Sequence, residues 1–223
     1  MNNLLSIPIY EKDQHGHIIP NLLFHRTCDR IHSRCVEYPF AAAHVGDAKT
    51  ILDVGSAKAD KFWISWLDSL DIDVYATDYD EFIYPAHKIK FHKSDVRKLA
   101  FEDNTFDKII AVSVIEHIGL EKPQVVNEIK PETKEDGDLQ AFKELLRVLK
   151  TGGEIIMTFP FGLRDGLILG DEARNYTEQS IKKFSSNAEP VLLEYYEYQY
   201  GNGEKIFREN NNYLSLLSGI IRE

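Results

Sequence analysis

The chain has 223 residues, enough for one sizeable core and short for two full domains. Hydrophobic residues make up 43% and charged residues 28%, with 13 Gly and 8 Pro, which excludes collagen-like, low-complexity and disordered chains. Lys and Arg total 26 against 36 Asp and Glu, so a formal charge of -10 opposes phosphate backbones and nucleic acid is not expected as a partner. Cys28 and Cys35 form neither a disulfide framework nor a zinc site, and no other metal site is expected. The N-terminus lacks a basic region leading into an apolar stretch, and apolar runs such as Ile109 to Val112 are far too short to span a membrane. A cytoplasmic protein with no membrane partner is expected.

In chain order, the first 45 or so residues carry a possible hairpin around His15-Gly16-His17 and a helical stretch from Arg26 towards Tyr38, which Pro39 should interrupt or restart. Ile51 to Gly55 reads as the first strong strand. Phe62, Trp63, Trp66, Leu67 and Leu70 recur at helical spacing, and Asp71 to Thr77 forms a second strand ending in Asp78. Ile89 to Phe91 suggests a third strand. Lys108 to Ser113 is a fourth, whose near-continuous apolarity suits a central position covered on both faces. Residues 118 to 137 form a long connection of the kind that builds lids or recognition elements. Asp138 is a candidate N-cap for a helix striped by Leu139, Phe142, Leu145, Leu146 and Leu149, with Gly152-Gly153 as its stop. Glu154 to Phe159 follows as a fifth strand. Thr177 opens a helix through Phe184, and 191–200 and 213–221 read as two last strands on either side of a Gly201-Asn202-Gly203 turn. This alternation of strands and amphipathic helices predicts an α/β fold with a mostly parallel sheet. Residues 1–47 read as an N-terminal cap segment and 48–223 as the main domain.

Asp53-Val54-Gly55-Ser56-Ala57 lies between a buried-type strand and a helix, where a turn of small residues lets backbone amides approach a polar or anionic ligand. Asp78, 25 residues beyond Asp53, stands where a carboxylate can take both hydroxyls of a ribose. A dinucleotide dehydrogenase would want Gly-x-Gly-x-x-Gly here, and Ala57 and Asp60 occupy the second and third glycine positions.

With Asp53 to Ala57, Asp78, Ser94-Asp95-Val96-Arg97, the 104–118 stretch through Ser113 and Glu116-His117, and Leu145 to Gly153 in this order, the sequence resembles the class I S-adenosylmethionine-dependent methyltransferases from about Thr50 to Pro160. The resemblance implies a Rossmann-like fold with helices on both faces of a mostly parallel sheet and an antiparallel C-terminal strand. It implies S-adenosylmethionine as cofactor, held by Asp53, Gly55, Ser56, Ala57, Asp78, Tyr79, Asp95, Val96 and Ser113. Asp95 would accept from the adenine amino group, and the amide of Val96 would donate to a ring nitrogen. Tyr79 either lies against the adenine face or is a surface aromatic. Ala57 replaces a glycine common in the family, which is tolerated if its φ stays negative.

Glu116 and His117 end the fourth strand, where ligands meet open α/β sheets, and are the candidate catalytic pair. His117 can take a proton from an acceptor hydroxyl or amine near neutral pH, or can serve only to position the loop. Glu116 is either a cap or a group that holds the methionine amine. Arg34, Glu37, Tyr38, Arg164, Arg174 and Tyr176 are candidates for recognising a small-molecule or sugar acceptor. The stretches 34–39, 116–120 and 137–139 also resemble a small methyltransferase-like group associated with surface-glycan biosynthesis. A non-catalytic binding or interaction module of the same fold is the alternative.

Overall fold

The computed structural model describes residues 8–25, 32–120, 136–169, 171–186, 188–201, 204–209 and 215–222. Its main sheet has eight strands in the order β3-β2-β1-β4-β5-β10-β8-β9. Five of these are parallel: β1 (Thr50–Val54), β2 (Asp73–Asp78), β3 (Lys90–Lys93), β4 (Phe106–Val112) and β5 (Leu149–Phe161). The antiparallel end consists of β8 (Glu189–Gly201), β9 (Glu204–Glu209) and β10 (Ser215–Arg222), with β10 between β5 and β8. A separate antiparallel pair, β6 (Gly166–Ile168) and β7 (Ala173–Asn175), projects from the region after β5. This is a Rossmann-like fold with helices on both faces of a mostly parallel sheet and an antiparallel C-terminal strand, as expected.

Alternate side chains along each central strand feed opposite cores, as the two-residue strand period requires. Ile51, Val74, Ile110 and Ile156 face one core with Phe40 and Ala41 of α1 (Arg34–Ala43) and Trp63 and Leu67 of α2 (Lys61–Ser69). Leu52, Ile109, Ile155 and Met157 face the other with Phe142 and Leu145 of α3 (Gly137–Val148) and with Phe184 just beyond α4 (Glu178–Ile181). The double burial of Ile109 and Ile110 on neighbouring positions explains why β4 reads as an unbroken apolar run.

Several elements differ from the sequence expectation, each for a local reason. Pro39 sits inside α1 without breaking it. The carbonyl of Cys35, which a proline four residues on cannot serve, accepts instead from the amide of Asn21 at 2.7 Å. The helix ends at Val148, and β5 starts at once at Leu149, so Gly152-Gly153 do not stop α3. They lie in an irregular stretch at the start of β5, where a Cβ on Gly153 would come within 2.8 Å of the Lys150 carbonyl oxygen. Asp138 lies in the first turn of α3 behind Asp136, and its carboxylate accepts from the hydroxyl of buried Tyr176 at 3.0 Å. The segment after β8 returns as a further strand, so residues 202–203 lie between β8 and β9 instead of leading directly to the final strand. Thr177 does cap α4, through a reciprocal pair with Ser180. The expected helix start at 26–31 and most of the 118–137 connection, over 121–135, lie outside the described residues.

Candidate active site

The order of the parallel strands reverses between β1 and β4, and at such a switch point the two connections diverge and leave a crevice at the carboxyl ends. A cleft of about 410 Å³ occupies that place. It is lined by Gly55 after β1, Thr77 to Asp80 at the end of β2, Ser94 to Arg97 after β3 and Val112 to Val114 at the end of β4. His117 to Leu120, Glu172 and the α1 residues Arg34 and Tyr38 complete the wall.

Gly55 has φ 83, and a Cβ there would lie 2.4 Å from Val114 Cγ2. Only glycine satisfies both the left-handed backbone and the close approach of the β4 exit. After it, Ser56–Lys58 makes a single 3-10 turn, and Ala57, outside the positive-φ residues, is accommodated within it. The turn presents one amide towards β2, Ala57 N donating to Asp78 Oδ2 at 2.8 Å, while Asp80 N, just beyond β2, donates to Oδ1 at 2.9 Å. Each carboxylate oxygen keeps acceptor capacity for a further donor. Burial raises the Asp78 pKa against these hydrogen bonds.

Asp53 before the turn and Ser56 and Ala57 within it are buried and not among the residues lining the cleft. Asp53 accepts from Ser56 Oγ at 2.6 Å and from Trp63 Nε1 at 3.1 Å, tying the turn to α2. Burial pushes its carboxyl up to about 7. Asp95 lines the cleft, but its carboxylate is chelated by Arg97, with Nη2 to Oδ2 at 2.6 Å and Nε to Oδ1 at 3.0 Å. Arg97, noted in the sequence only as the last residue of the Ser94–Arg97 stretch, therefore engages the carboxylate of Asp95 directly. Tyr79 and Val96 also line this end.

At the other end, Ser113 holds φ 47, an uncommon backbone for a residue with a Cβ. Its amide donates to the Thr158 carbonyl and its hydroxyl to Glu37 Oε1 at 2.5 Å. Thr158 Oγ1 donates to the same oxygen at 2.8 Å. Glu37 is fully buried, and although burial alone would raise its pKa, the Arg34 guanidinium and these hydroxyls hold it below the usual range. One carboxylate thus pins α1 across the ends of β4 and β5. Expected among the acceptor-recognising residues, Glu37 is instead buried and does not line the cleft, although a glutamate on an amphipathic helix ordinarily reads as solvent-facing.

His117 Nδ1 lies 2.5 Å from the carbonyl oxygen of Glu172. A carbonyl only accepts, so Nδ1 carries the proton and Nε2 is the lone-pair nitrogen of the neutral ring. Burial lowers the His117 pKa, which keeps the ring neutral at physiological pH. Glu116 is buried, with Oε1 3.7 Å from His117 Nε2, and burial pushes its carboxyl up to about 8. Its Oε2 has no hydrogen-bond partner among the described residues. Of the other acceptor candidates, Tyr176 is core and Arg174 clamps the loop after β4 by donating to the Ile118 carbonyl at 2.6 Å. Neither these nor Arg164 lines the cleft.

Residues 52–157 match the methyltransferase-domain family. No curated protein matches the chain. Among solved structures, the chain is similar to the [4+2]-cyclase SpnF, with 17% identity, TM-score 0.57, and 82% of this chain and 79% of that one covered. It is similar to an S-adenosylmethionine-dependent methyltransferase of Methanosarcina mazei, with 14% identity, TM-score 0.54 and coverage of 83% and 97%. It is also similar to the 1,6-didemethyltoxoflavin-N1-methyltransferase of Burkholderia thailandensis, solved with bound 1,6-didemethyltoxoflavin and S-adenosylhomocysteine, with 15% identity, TM-score 0.53 and coverage of 81% and 76%. At these identities the likeness establishes the fold. Among the described residues, no helix is long and apolar enough to cross a membrane. The residues that match a methyltransferase domain, 52–157, carry the glycine turn, the β2 carboxylate and most of the strand ends around the switch-point cleft.

Proposed function

We propose that the protein transfers a methyl group from S-adenosylmethionine to a hydroxyl or amine of a small-molecule or sugar acceptor, with His117 as general base. The observation that carries this reading is the tautomer of His117: its Nδ1 is committed to the Glu172 carbonyl, which leaves Nε2 as a proton acceptor on a residue that lines the cleft. The cofactor supplies an activated methyl on a sulfonium, so the chain's tasks are alignment and proton removal.

The residues present suit the cofactor. Asp78 would accept from the ribose hydroxyls, the Gly55 turn would pass close beneath the sugar, and Asp95, with the Val96 amide and Tyr79, would meet the adenine. Arg97 would share that duty with Asp95, since it already occupies part of the carboxylate. Asp53, Ser56 and Ala57 would act through the turn, and Ser113 through its contact with Glu37. Residues 1–47 would serve as a cap on the 48–223 domain, since Arg34 and Tyr38 wall the cleft from α1. The narrower resemblance at 34–39 and 116–120 favours a sugar acceptor, and the use of only two cysteines favours the cytoplasm.

The test is calorimetric titration with S-adenosylmethionine, S-adenosylhomocysteine and NAD, followed by mass-spectrometric screening of sugar and small-molecule acceptors for a 14 Da methyl increment (the approximate mass of CH₂) with wild type and His117→Ala. Binding of the two adenosyl ligands with methyl transfer that His117→Ala depresses supports the reading. Saturable NAD binding, or cofactor binding with no transfer to any acceptor class, would favour the dehydrogenase or the non-catalytic module instead.

A further inference from the structure

All but one of the charged side chains in the cleft wall are already matched. Lys58 pairs with Asp80 at 2.7 Å, Arg97 with Asp95 and Arg34 with Glu37, and Asp78 accepts from two backbone amides. His117 is a neutral ring whose Nδ1 proton is committed to a carbonyl. Glu172 is the remainder: its carboxylate has neither an ion-pair nor a hydrogen-bond partner among the described residues.

Glu172 stands immediately before β7 and is held there by its own main chain. Its amide donates to the Ile168 carbonyl at 3.1 Å, which closes the β6–β7 hairpin, and its carbonyl accepts from His117 Nδ1. The next residue, Ala173, is fully buried. Side chains two apart along an extended strand share a face, and Arg174, two residues on, reaches the Ile118 carbonyl. The Glu172 side chain therefore points with that of Arg174 towards the turn that carries His117. Its charge acts on that ring: burial lowers the His117 pKa, and the Glu172 carboxylate opposes the shift. The adenosine end lies at β2 and β3, on the other side of β1, so Glu172 and the lone pair of His117 Nε2 flank the end of the cleft left for the acceptor.

A bound cofactor places a positive sulfonium in this cleft. A second cation beside it is repelled unless a negative charge stands close by, whereas a neutral hydroxyl needs no such charge and an anionic acceptor is repelled by it. An aliphatic amine arrives at neutral pH as an ammonium, the form that a lone carboxylate holds by charge-assisted hydrogen bonds.

We propose that Glu172 selects a cationic amine as the acceptor, so that the methyl group is delivered to nitrogen. The inference rests on the methyltransferase reading and narrows its hydroxyl-or-amine acceptor to the amine. The ammonium, held by the Glu172 carboxylate, gives one proton to His117 Nε2. The nitrogen lone pair so freed forms the N–C bond to the methyl carbon as the S–C bond breaks, and the electron pair of that bond stays on sulfur. The product leaves as an N-methylammonium, and the proton on His117 passes to solvent.

The probes are matched pairs that differ in one group, glucosamine with glucose and ethanolamine with ethylene glycol, each incubated with S-adenosylmethionine and the full chain and read by mass spectrometry. The amine of each pair should be methylated with at least a roughly 10-fold higher kcat/KM than its hydroxyl partner, as expected for one charge-assisted hydrogen bond. Glu172→Gln keeps the backbone carbonyl that fixes the His117 tautomer and should raise KM for the amines by roughly 10–100-fold with kcat little changed. Glu172→Asp should recover part of that loss. In Glu172→Gln the His117 ring, followed by NMR, should lose its proton at lower pH than in the wild type, because the opposing carboxylate is gone. Equal or better transfer to the hydroxyl partners, or an amine KM that Glu172→Gln leaves unchanged, overturns the assignment and leaves methyl transfer standing. An unmoved His117 titration places the carboxylate away from the ring and overturns it as well. Cofactor binding without transfer to any member of either pair, or no cofactor binding, overturns the methyltransferase reading and the amine assignment with it.

Discussion

Replacing Gly55 by alanine imposes two separable costs, and the structure allows each to be sized. The left-handed φ of 83 disfavours any Cβ by about 1–2 kcal/mol. The new methyl would also stand 2.4 Å from Val114 Cγ2, well inside the ~3.5–4.0 Å at which carbons attract. Relief of such an overlap by shifting neighbours costs about 1–3 kcal/mol. The reduced freedom of the unfolded chain returns about 0.4–1 kcal/mol. A net loss of about 2–4 kcal/mol, at an m-value near 2 kcal/mol/M, lowers the urea midpoint by about 1–2 M. Val114→Ala removes the atom that is struck but not the φ penalty. The double variant Gly55→Ala/Val114→Ala should therefore be more stable than the two single effects predict, by about 1–3 kcal/mol of coupling. Urea unfolding followed by circular dichroism on the four proteins measures this coupling. Strict additivity would refute the close-approach argument and leave only the backbone conformation as the reason for glycine.

Asp78→Ala should weaken S-adenosylmethionine by roughly 10–100-fold. Because Asp78 also accepts from the amides of Ala57 and Asp80, the substitution should cost about 1–3 kcal/mol of folding stability, measurable by urea unfolding. For His117→Ala, kcat should fall by about 10²–10⁴ with cofactor affinity little changed. The wild-type rate should decline as pH falls through an apparent pKa below the ordinary histidine value of 6.5, because burial favours the neutral base. Asp53 holds its proton to about 7 in the folded chain and releases it near 3.8 when unfolded. The folded state then binds more protons between those values, so the Asp53 contribution to stability is full below about 4 and is lost as pH rises to about 7. Asp53→Asn should remove that slope from the difference between the two unfolding curves taken over this range, and an unchanged slope would show that Asp53 is ionised in the fold.

How much was visible in the primary structure follows from the range of the interactions involved. The five parallel strands, the turn at Gly55 and the carboxylate at Asp78 are encoded locally, by apolar runs that must be covered on both faces and by punctuation between strand and helix. The chain position of Pro39 and of Gly152-Gly153 is equally local, yet their consequences are not. Pro39 is tolerated because Asn21, 18 residues earlier, supplies the donor that Cys35 lacks, and α3 ends where β5 must begin pairing with β4. The extra antiparallel strand, β9, pairs with β8 immediately before it in the chain, and it escapes a reading of the sequence because Glu204–Glu209 is short and mostly charged and offers no apolar run.

The same division runs through the site. Asp78, Asp95 and His117 stand at strand ends that periodicity locates, so their placement along the cleft could be anticipated from the order of the strands. The state of each group could not, because it depends on what folding brings into contact. Asp53 is turned under the loop by Trp63 and Ser56, Asp95 is chelated by Arg97, and His117 is given its tautomer by a carbonyl 55 residues away. Glu37 is the extreme case: on its own helix it is one of only two charges, with Arg34, and only the crossing of α1 over the ends of β4 and β5 buries it against Ser113 and Thr158 and turns Arg34 into the wall of the cleft. Hydrophobic periodicity acts over a few residues and survives in the linear sequence, whereas the pairing of buried polar groups is chosen by tertiary proximity, where desolvation makes each partner decisive.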